Sequence, residues 1–494
     1  MKQAVLFAGC TPEVAAFGDR IIAVGPRARA AAGRTAQVIK LRGTAWPGLI
    51  DSHIHLEGLA DRRLTVDLTG SADLAECLKR VRGWARPLKK DAWVVGAGWY
   101  NDVWPESAFP SRLQLDAVVG DRPALLRRKD GHSAWVSSAA LRIAGIAARV
   151  DSADDPPGGR IDRDEAGQPT GILRETAMLL VARHLPAPAA ADLDLALGQV
   201  LEELAQLGLV AVHSMDTARC LSSLQRLASR APLPVRVTYN LPAADLAYAE
   251  RVGIRSGWGD ESVRIWGVKA FLDGSLGSRT AEMLDGSGVA RLPQPDLEDL
   301  IRRCAEAELN VCLHAIGDGA VRRALDALTP HRNAWRSWRP RIEHAQCVHP
   351  KDLTRMARLG VLASMQPIHA VADREIADAE WPSVTAHAYA WRALERAGVR
   401  LAFGSDAPVE TADPLAGIAA ATTWRKEAKW HPELALTRAS ALRAYTSDAA
   451  YAAGMEDDLG ALRPGKLCDI TVVHEGKVEA TVAGGRLTFR RKRA

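Results

Sequence analysis

From about residue 190 onward the chain repeats one arrangement of apolar and polar positions: an apolar stripe at helical spacing, a Gly or Asn stop, a short apolar run, then a polar residue. LDLALGQVLEELAQLG places Leu193, Leu197, Leu201, Leu204 and Leu207 at helical spacing and stops at Gly208, a residue suited to end a helix, before LVAVHSMD begins. LEDLIRRCAEAELN precedes VCLHAIGD, KDLTRMARLG precedes VLASMQP, and AWRALERAG precedes VRLAFGSD. With PVRVTYNL, RIWGVKAFLDG, RIEHAQ and the early PGLIDSHIHL, the chain from His53 to Asp406 holds eight apolar runs, most of them followed by polar residues. Such alternation predicts an α/β fold of parallel strands with helical crossovers, and eight strands predict a closed (β/α)8 TIM-like barrel. An open doubly wound sheet is the competing arrangement. The barrel is preferred because it brings polar residues at many strand ends to one face.

Two segments depart from this phrase. Between Leu56 and about residue 190 no simple strand-helix alternation is read; instead there are turn clusters such as DSADDPPGG and the tryptophans Trp84, Trp93, Trp99, Trp104 and Trp135. This predicts a large insertion after the first barrel strand. At the ends, AVLFAGC, EVAAFGDRIIAVG and AQVIKLRG at the start, and CDITVVHEGKVEATVAGGRLTF at the finish, read as short strands separated by Gly turns. The predicted organisation is a small composite β-sandwich domain from 1–46 and 455–494, a (β/α)8 barrel from 47–57 and 191–454, and an inserted domain, 58–190, covering the mouth of the barrel.

Composition narrows the class. At 494 residues the chain exceeds what one hydrophobic core organises, and its 47% hydrophobic and 25% charged residues are ordinary for a globular protein. The formal charge of +5, from 64 Lys+Arg against 59 Asp+Glu, is too small to imply a nucleic-acid track, and FRRKRA reads as a solvated tail. Seven cysteines without a C-x-x-C pair do not form a disulfide framework or zinc ribbon, which points to a reducing compartment. The amino end lacks the pattern of a signal peptide and no apolar span approaches about 18 residues, so a soluble, cytoplasmic protein without a membrane partner is expected. A Gly-rich phosphate loop is not found.

Chemistry enters at PGLIDSHIHLEG. In a strand, residues i and i+2 point to one side, so His53 and His55 face the same way at a strand end and suit a divalent transition metal. Taken alone, the pair reads equally as two satisfied buried histidines. Lys269 in GVKAFLDGS, His314 in VCLHAIGD, His344 in RIEHAQ and Asp406 in AFGSDAPVE change that balance, because barrel geometry delivers each of them to the same mouth.

These motifs, in this order, resemble the amidohydrolase superfamily and its branch related to N-substituted formamide deformylase, the YtcJ-like branch or amidohydrolase family 3. PGLIDSHIHL matches the first-strand signature, while GAGWYNDVWPE, DGHSAWVSSAAL and GRIDRDEAGQPTGILRETA match the branch's insertion. VKAFLDGSLGSRTA, LHAIGDGAV, RIEHAQ, SMQPIHA and GSDAPVE follow in family order, and LGALRPGKLCDITVV resembles the return to the β domain. Ser137, where asparagine is usual, and Cys468, where alanine is common, are departures that touch no proposed ligand.

The resemblance implies two divalent metal ions, usually zinc. His53, His55 and Asp406 would hold one, His314 and His344 the other, with a CO2-derived carbamate on Lys269 bridging. Charge agrees: two divalent ions bring four positive charges, and an aspartate, a lysine carbamate and a hydroxide remove three, whereas an ammonium would add repulsion. An unmodified surface or salt-bridged Lys269 is the plainer alternative. In the implied chemistry a hydroxide attacks a carbonyl carbon and Asp406 carries its proton to the departing amine. His132 is the first candidate to steady the oxyanion, against a buried role in holding the insertion. His213 and His369 are expected either near the ligands and pocket or as packing. Trp99, Trp104 and Trp135 are expected to line an apolar substrate pocket, with core packing as the alternative. Cys312 is expected as a buried, inert thiol, and Asp273 and Asp318 as residues that orient ligands or cap helices. The expected activity is hydrolysis of a non-peptide carbon-nitrogen bond in a small-molecule amide, N-acyl amine or N-formyl amine. Cyclic amides, carbamates, lactones or other esters on the same scaffold, and a non-catalytic metal-binding regulator, are the alternatives. A homodimer is compatible with the chain.

Overall fold

Each of the eight apolar runs forms a strand in the computed structural model, which describes residues 3–129, 132–146, 155–156 and 159–492. They are β1 (Leu49–Ile54), β2 (Leu209–Ser214), β3 (Arg236–Pro242), β4 (Val263–Phe271), β5 (Asn310–Ala315), β6 (Arg341–His344), β7 (Leu362–Met365) and β8 (Leu401–Phe403). Every strand pairs in parallel with the next in chain order. β1, β2, β5, β6, β7 and β8 are buried along their whole length, which is why their sequences read as continuous apolar runs rather than alternating ones. The sheet comes round on itself where the chain leaves β8. There the Asp406 amide donates to the His53 carbonyl at 2.7 Å and the His55 amide to the Ala407 carbonyl at 2.8 Å. Gly404 permits the approach, since a Cβ at that position would lie 2.4 Å from the His53 nitrogen. The fold is therefore a (β/α)8 barrel rather than an open doubly wound sheet.

Strands from both ends of the chain share one seven-stranded sheet. Gln37–Pro47 joins the halves, running parallel to Ala4–Thr11 and antiparallel to Ile470–His474. Phe7, Val14, Ile21, Leu41, Ile470 and Val482 belong to its core. Thr471 and Thr481 fasten this sheet to the barrel, their hydroxyls donating to the carbonyls of Gly208 and Ala205, each at 2.6 Å.

Residues 60–196 form a separate compact unit. Its six-stranded sheet contains three parallel strands, Val66–Asp67, Val94–Trp99 and Ala124–Arg128, connected by the helices Leu74–Ala85 and Arg112–Val119. The expected lack of alternation in this region is thus corrected. The helix LAECLKRVRGWA buries Cys77, Val81 and Ala85, and Leu74, Leu78 and Trp84 pack against the same core at helical spacing. The turn cluster at 151–159 lies mostly outside the described residues. Among the described residues no helix is long and apolar enough to cross a membrane.

Candidate metal centre

β1 ends in the Asp-Ser-His-Ile-His stretch, and backbone hydrogen bonds set its two histidines. Asp51 accepts from the amides of His53 at 3.0 Å and Ser405 at 3.1 Å, tying the end of β1 to the segment after β8. Asp216, just beyond β2, accepts from the amides of Leu56 at 2.8 Å and Glu57 at 3.2 Å, fixing the helix that starts after His55. Asp406 meets them from the far side: its Oδ1 lies 3.2 Å from His55 Nε2 and 3.5 Å from His53 Nε2. Lys269, in β4, brings Nζ to 3.5 Å from His53 Nε2. The His344 ring centroid is 4.8 Å from that of His53 and 4.4 Å from that of His314. All six residues proposed as ligands from the sequence therefore lie in one contiguous cluster.

Backbone strain helps assemble it. His344 and Asp406 have φ of 73° and 58°, a left-handed conformation that side-chain-bearing residues seldom adopt. Strand alternation would turn His344 away from the side of Glu343, and the left-handed turn re-aims its ring into the mouth. Such residues cost of order 1–3 kcal/mol each, and they persist where the surroundings over-determine them.

Three of the imidazoles are each held at one nitrogen. His53 donates from Nδ1 to Glu343 at 2.6 Å, His344 donates from Nδ1 to the Gln366 side-chain oxygen at 2.8 Å, and His314 donates from Nε2 to the Gly274 carbonyl at 2.9 Å. Each bond fixes a tautomer and leaves the other nitrogen as a lone-pair donor. His314 Nδ1 is buried and has no hydrogen-bond partner. Outer partners of this type are the usual companions of metal-ligating histidines.

The electrostatics agree. Burial, reinforced by the Lys269 charge, pushes His53 well below the ordinary histidine range and His314 down to about 4. Burial and the neighbouring imidazoles do the same to His344, and burial lowers Lys269. Burial works against the Asp406 carboxylate, but the His55 hydrogen bond and nearby imidazoles outweigh it and hold Asp406 far below the usual range. Neutral imidazoles beside an ionised carboxylate are the protonation states in which these groups bind metal. The residues therefore fit a divalent ion.

Among the described residues, two groups of three have ligand atoms within 4.8 Å of one another: His53, His55 and Asp406, and His344, His369 and Asp406. The first is the expected trio. The second includes His369, expected only as a pocket or packing residue; its Nε2 is buried, lacks a hydrogen-bond partner and lies 3.7 Å from Asp406 Oδ2. The other candidates are placed differently. His213 is buried within the barrel and accepts at Nδ1 from Arg341 at 2.8 Å, so it supports the cluster from outside. His132 belongs to the inserted unit, is 68% exposed and pairs with Glu175 at 2.9 Å; its exposure corrects the buried role given as the alternative. Trp99, Trp104 and Trp135 sit in the insertion's own core, with indole N–H groups donating to the carbonyls of Leu126, Ser71 and Ser111. All three pack in that core, and Trp104 also lines a cavity of about 450 Å³ within the insertion, beside Leu74, Leu78 and Phe109. Cys312 is a buried thiol pushed up to about 12 by burial, and Asp273 accepts from the amides of Ile316 and Gly317.

Sequence reasoning passed over Glu343, Arg341 and Gln366. The signal was present: charged residues inside RIEHAQ interrupt what should be an apolar parallel strand. A cavity of about 580 Å³ adjoins the cluster, lined by Asp216 and Lys269 and by apolar residues including Met215, Ala243, Phe271 and Leu292. The Phe271 ring is 5.1 Å from that of His314.

A model of the amidohydrolase family matches residues 37–489. The chain is 31% identical over 487 residues to Protein LONG AFTER FAR-RED 3 of Arabidopsis thaliana, covering 90% of this chain and 82% of that one. It is 29% identical over 497 residues to N-substituted formamide deformylase of Arthrobacter pascens, covering 95% and 91%. A crystal structure described as an uncharacterized metal-dependent hydrolase from Pyrococcus furiosus aligns with a TM-score of 0.77 at 28% identity, over 95% of this chain and 98% of that one.

Proposed function

Because this chain belongs to the amidohydrolase family and is a metal-dependent hydrolase by that kinship, we propose that it cleaves a non-peptide carbon-nitrogen bond in a small N-acyl or N-formyl amine. The relative named N-substituted formamide deformylase supports this bond class. The observation that carries the reading is the buried, ionised Asp406, 3.2 Å from His55 and facing His369 with its second oxygen.

His53, His55 and Asp406 would hold one ion; His314, His344 and a carboxylated Lys269 would hold a second. Divalent ions held there supply activated water at neutral pH and polarise a carbonyl. Lys269 is suited to modification because burial disfavours its ammonium form. The neutral amine adds to the carbon of CO2 and releases one proton, leaving an anionic carbamate. Asp406 takes the proton of the attacking water and passes it to the amine nitrogen as the carbon-nitrogen bond breaks. Its low proton affinity means that the proton does not stay. His369 is the first residue of the helix His369–Glu380, and its Nε2 lies 3.7 Å from Asp406 Oδ2. From there it donates Nε2–H to the developing oxyanion, the task first assigned to His132. The apolar cavity walls beside Lys269 receive the substituent on nitrogen.

The test is a panel of N-formyl and N-acetyl amines with zinc-loaded protein and the Asp406→Asn variant. Turnover by the wild type, lost in the variant while zinc stays bound, supports the assignment. Equal activity in both contradicts it, and bound zinc without hydrolysis of any amide or ester favours a non-catalytic metal-binding protein.

A further inference from the structure

The interior of a (β/α)8 barrel is ordinarily filled by branched apolar side chains. In this barrel the floor beneath the histidine cluster holds a salt bridge. Arg341 and Glu343 sit two residues apart on β6, so they point to the same side, and both are fully buried. Arg341 donates from Nε to Glu343, from Nη1 to His213 on β2 at 2.8 Å, and from Nη2 to the Ser52 carbonyl on β1 at 2.7 Å. The second Glu343 oxygen accepts from His53 Nδ1 at 2.6 Å.

Stability does not account for this arrangement. Desolvating two charges offsets their attraction, and apolar residues of the same volume are often neutral or better at such a place. The geometry has a different result. Four hydrogen bonds connect β1, β2 and β6 and end on one imidazole, whose remaining nitrogen faces Asp406 and Lys269. The Arg341 guanidinium donates to one Glu343 oxygen and leaves the other to accept, so His53 presents its Nδ1–H to it.

We propose that the Arg341–Glu343 pair is a positioning device for the metal centre, in which Glu343 sets the tautomer and orientation of His53 and Arg341 holds the Glu343 carboxylate against β1 and β2. This rests on the metal-centre reading above and concerns residues that would not themselves touch the ion or the substrate.

The test measures Zn2+ affinity of the full-length protein by competition with a chromophoric chelator, alongside thermal melting of the metal-free protein. The double variant Arg341→Met, Glu343→Leu replaces the pair with apolar bulk. Its metal-free melting temperature is expected at or above that of the wild type, with zinc affinity weakened roughly 10- to 100-fold. Glu343→Gln, which keeps the shape and removes the charge, is measured in the same way and covers failure of the double variant to fold; at least a tenfold loss of affinity is expected. Zinc affinity within twofold of wild type in either folded variant overturns the positioning role while leaving the metal centre standing. A wild-type protein that binds no zinc overturns the metal-centre reading, and this inference with it.

Discussion

The barrel mouth and the inserted unit both bury large side chains with polar nitrogens, and they treat those nitrogens in opposite ways. In the insertion, Trp99, Trp104 and Trp135 pack together and each indole N–H donates to a backbone carbonyl. At the mouth, His53, His314 and His344 each donate from one nitrogen to a protein oxygen, and among the described residues His314 Nδ1 and His369 Nε2 have no hydrogen-bond partner. Burial is common to both regions, so burial does not mark the site. A satisfied indole completes a core. An imidazole fixed on one side and open on the other leaves a lone pair, or a donor, for something from outside the chain.

The largest expected effect is at the open end of this contrast: Asp406→Asn lowers turnover by roughly 10³-fold while zinc content, measured by elemental analysis, stays near that of the wild type. In the packed region, Trp135→Ala is expected to cost about 3–5 kcal/mol in urea unfolding with no change in zinc content; loss of zinc would erase the distinction between the two regions. His369→Asn sharpens it, with kcat down roughly 10²-fold, KM changed less and zinc retained, whereas lost zinc would make His369 a ligand. Zinc at 100 times its dissociation constant should add about 2.7 kcal/mol to unfolding, reversed by chelator.

The smallest effect is in the pH dependence of the metal-free protein. His314, depressed to about 4 from 6.5, contributes stability that is present above pH 6.5 and lost as pH falls through about 4. Asp273, raised by burial from 3.8 to about 7, works the other way: its contribution is present below pH 3.8 and lost as pH rises through about 7. His53, His213 and His344 are depressed like His314, and Asp51 and Asp216 are raised like Asp273, so the comparison of variant with wild type is what isolates one group. Between about pH 4 and 6.5 the stability of Asp273→Asn should rise with pH by roughly 1 kcal/mol per unit more than that of the wild type. Parallel profiles would show that the Asp273 shift is not felt.

Much of the barrel was legible because its strands are buried on both faces and stand out as apolar runs between striped helices. The alternation in the insertion was not, because its strands are weak signals: Val66–Asp67 is two residues long and Val94–Trp99 is broken by Gly96 and Gly98, although the helix between them carries a regular apolar stripe. Among site residues, His53, His55, Lys269, His314, His344 and Asp406 could be found because each follows or ends an apolar run. His369 could not be separated from packing, since its meaning depends on a 3.7 Å approach to a residue 37 positions away in sequence. The two roles offered for the tryptophans could not be separated for a related reason: an aromatic in a polar, turn-rich segment reads alike whether it lines a cavity or fills a core.

By itself the sequence determined the alternation of helix and strand and the identities of the polar side chains that meet at the barrel mouth, because hydrophobic periodicity and residue chemistry are local properties. Tertiary structure decided which nitrogen each histidine presents, that the backbone of His344 and Asp406 is left-handed, and that Arg341 and Glu343 stand beneath His53. These depend on distances between strands far apart in the chain, and the closing of the barrel sets those distances.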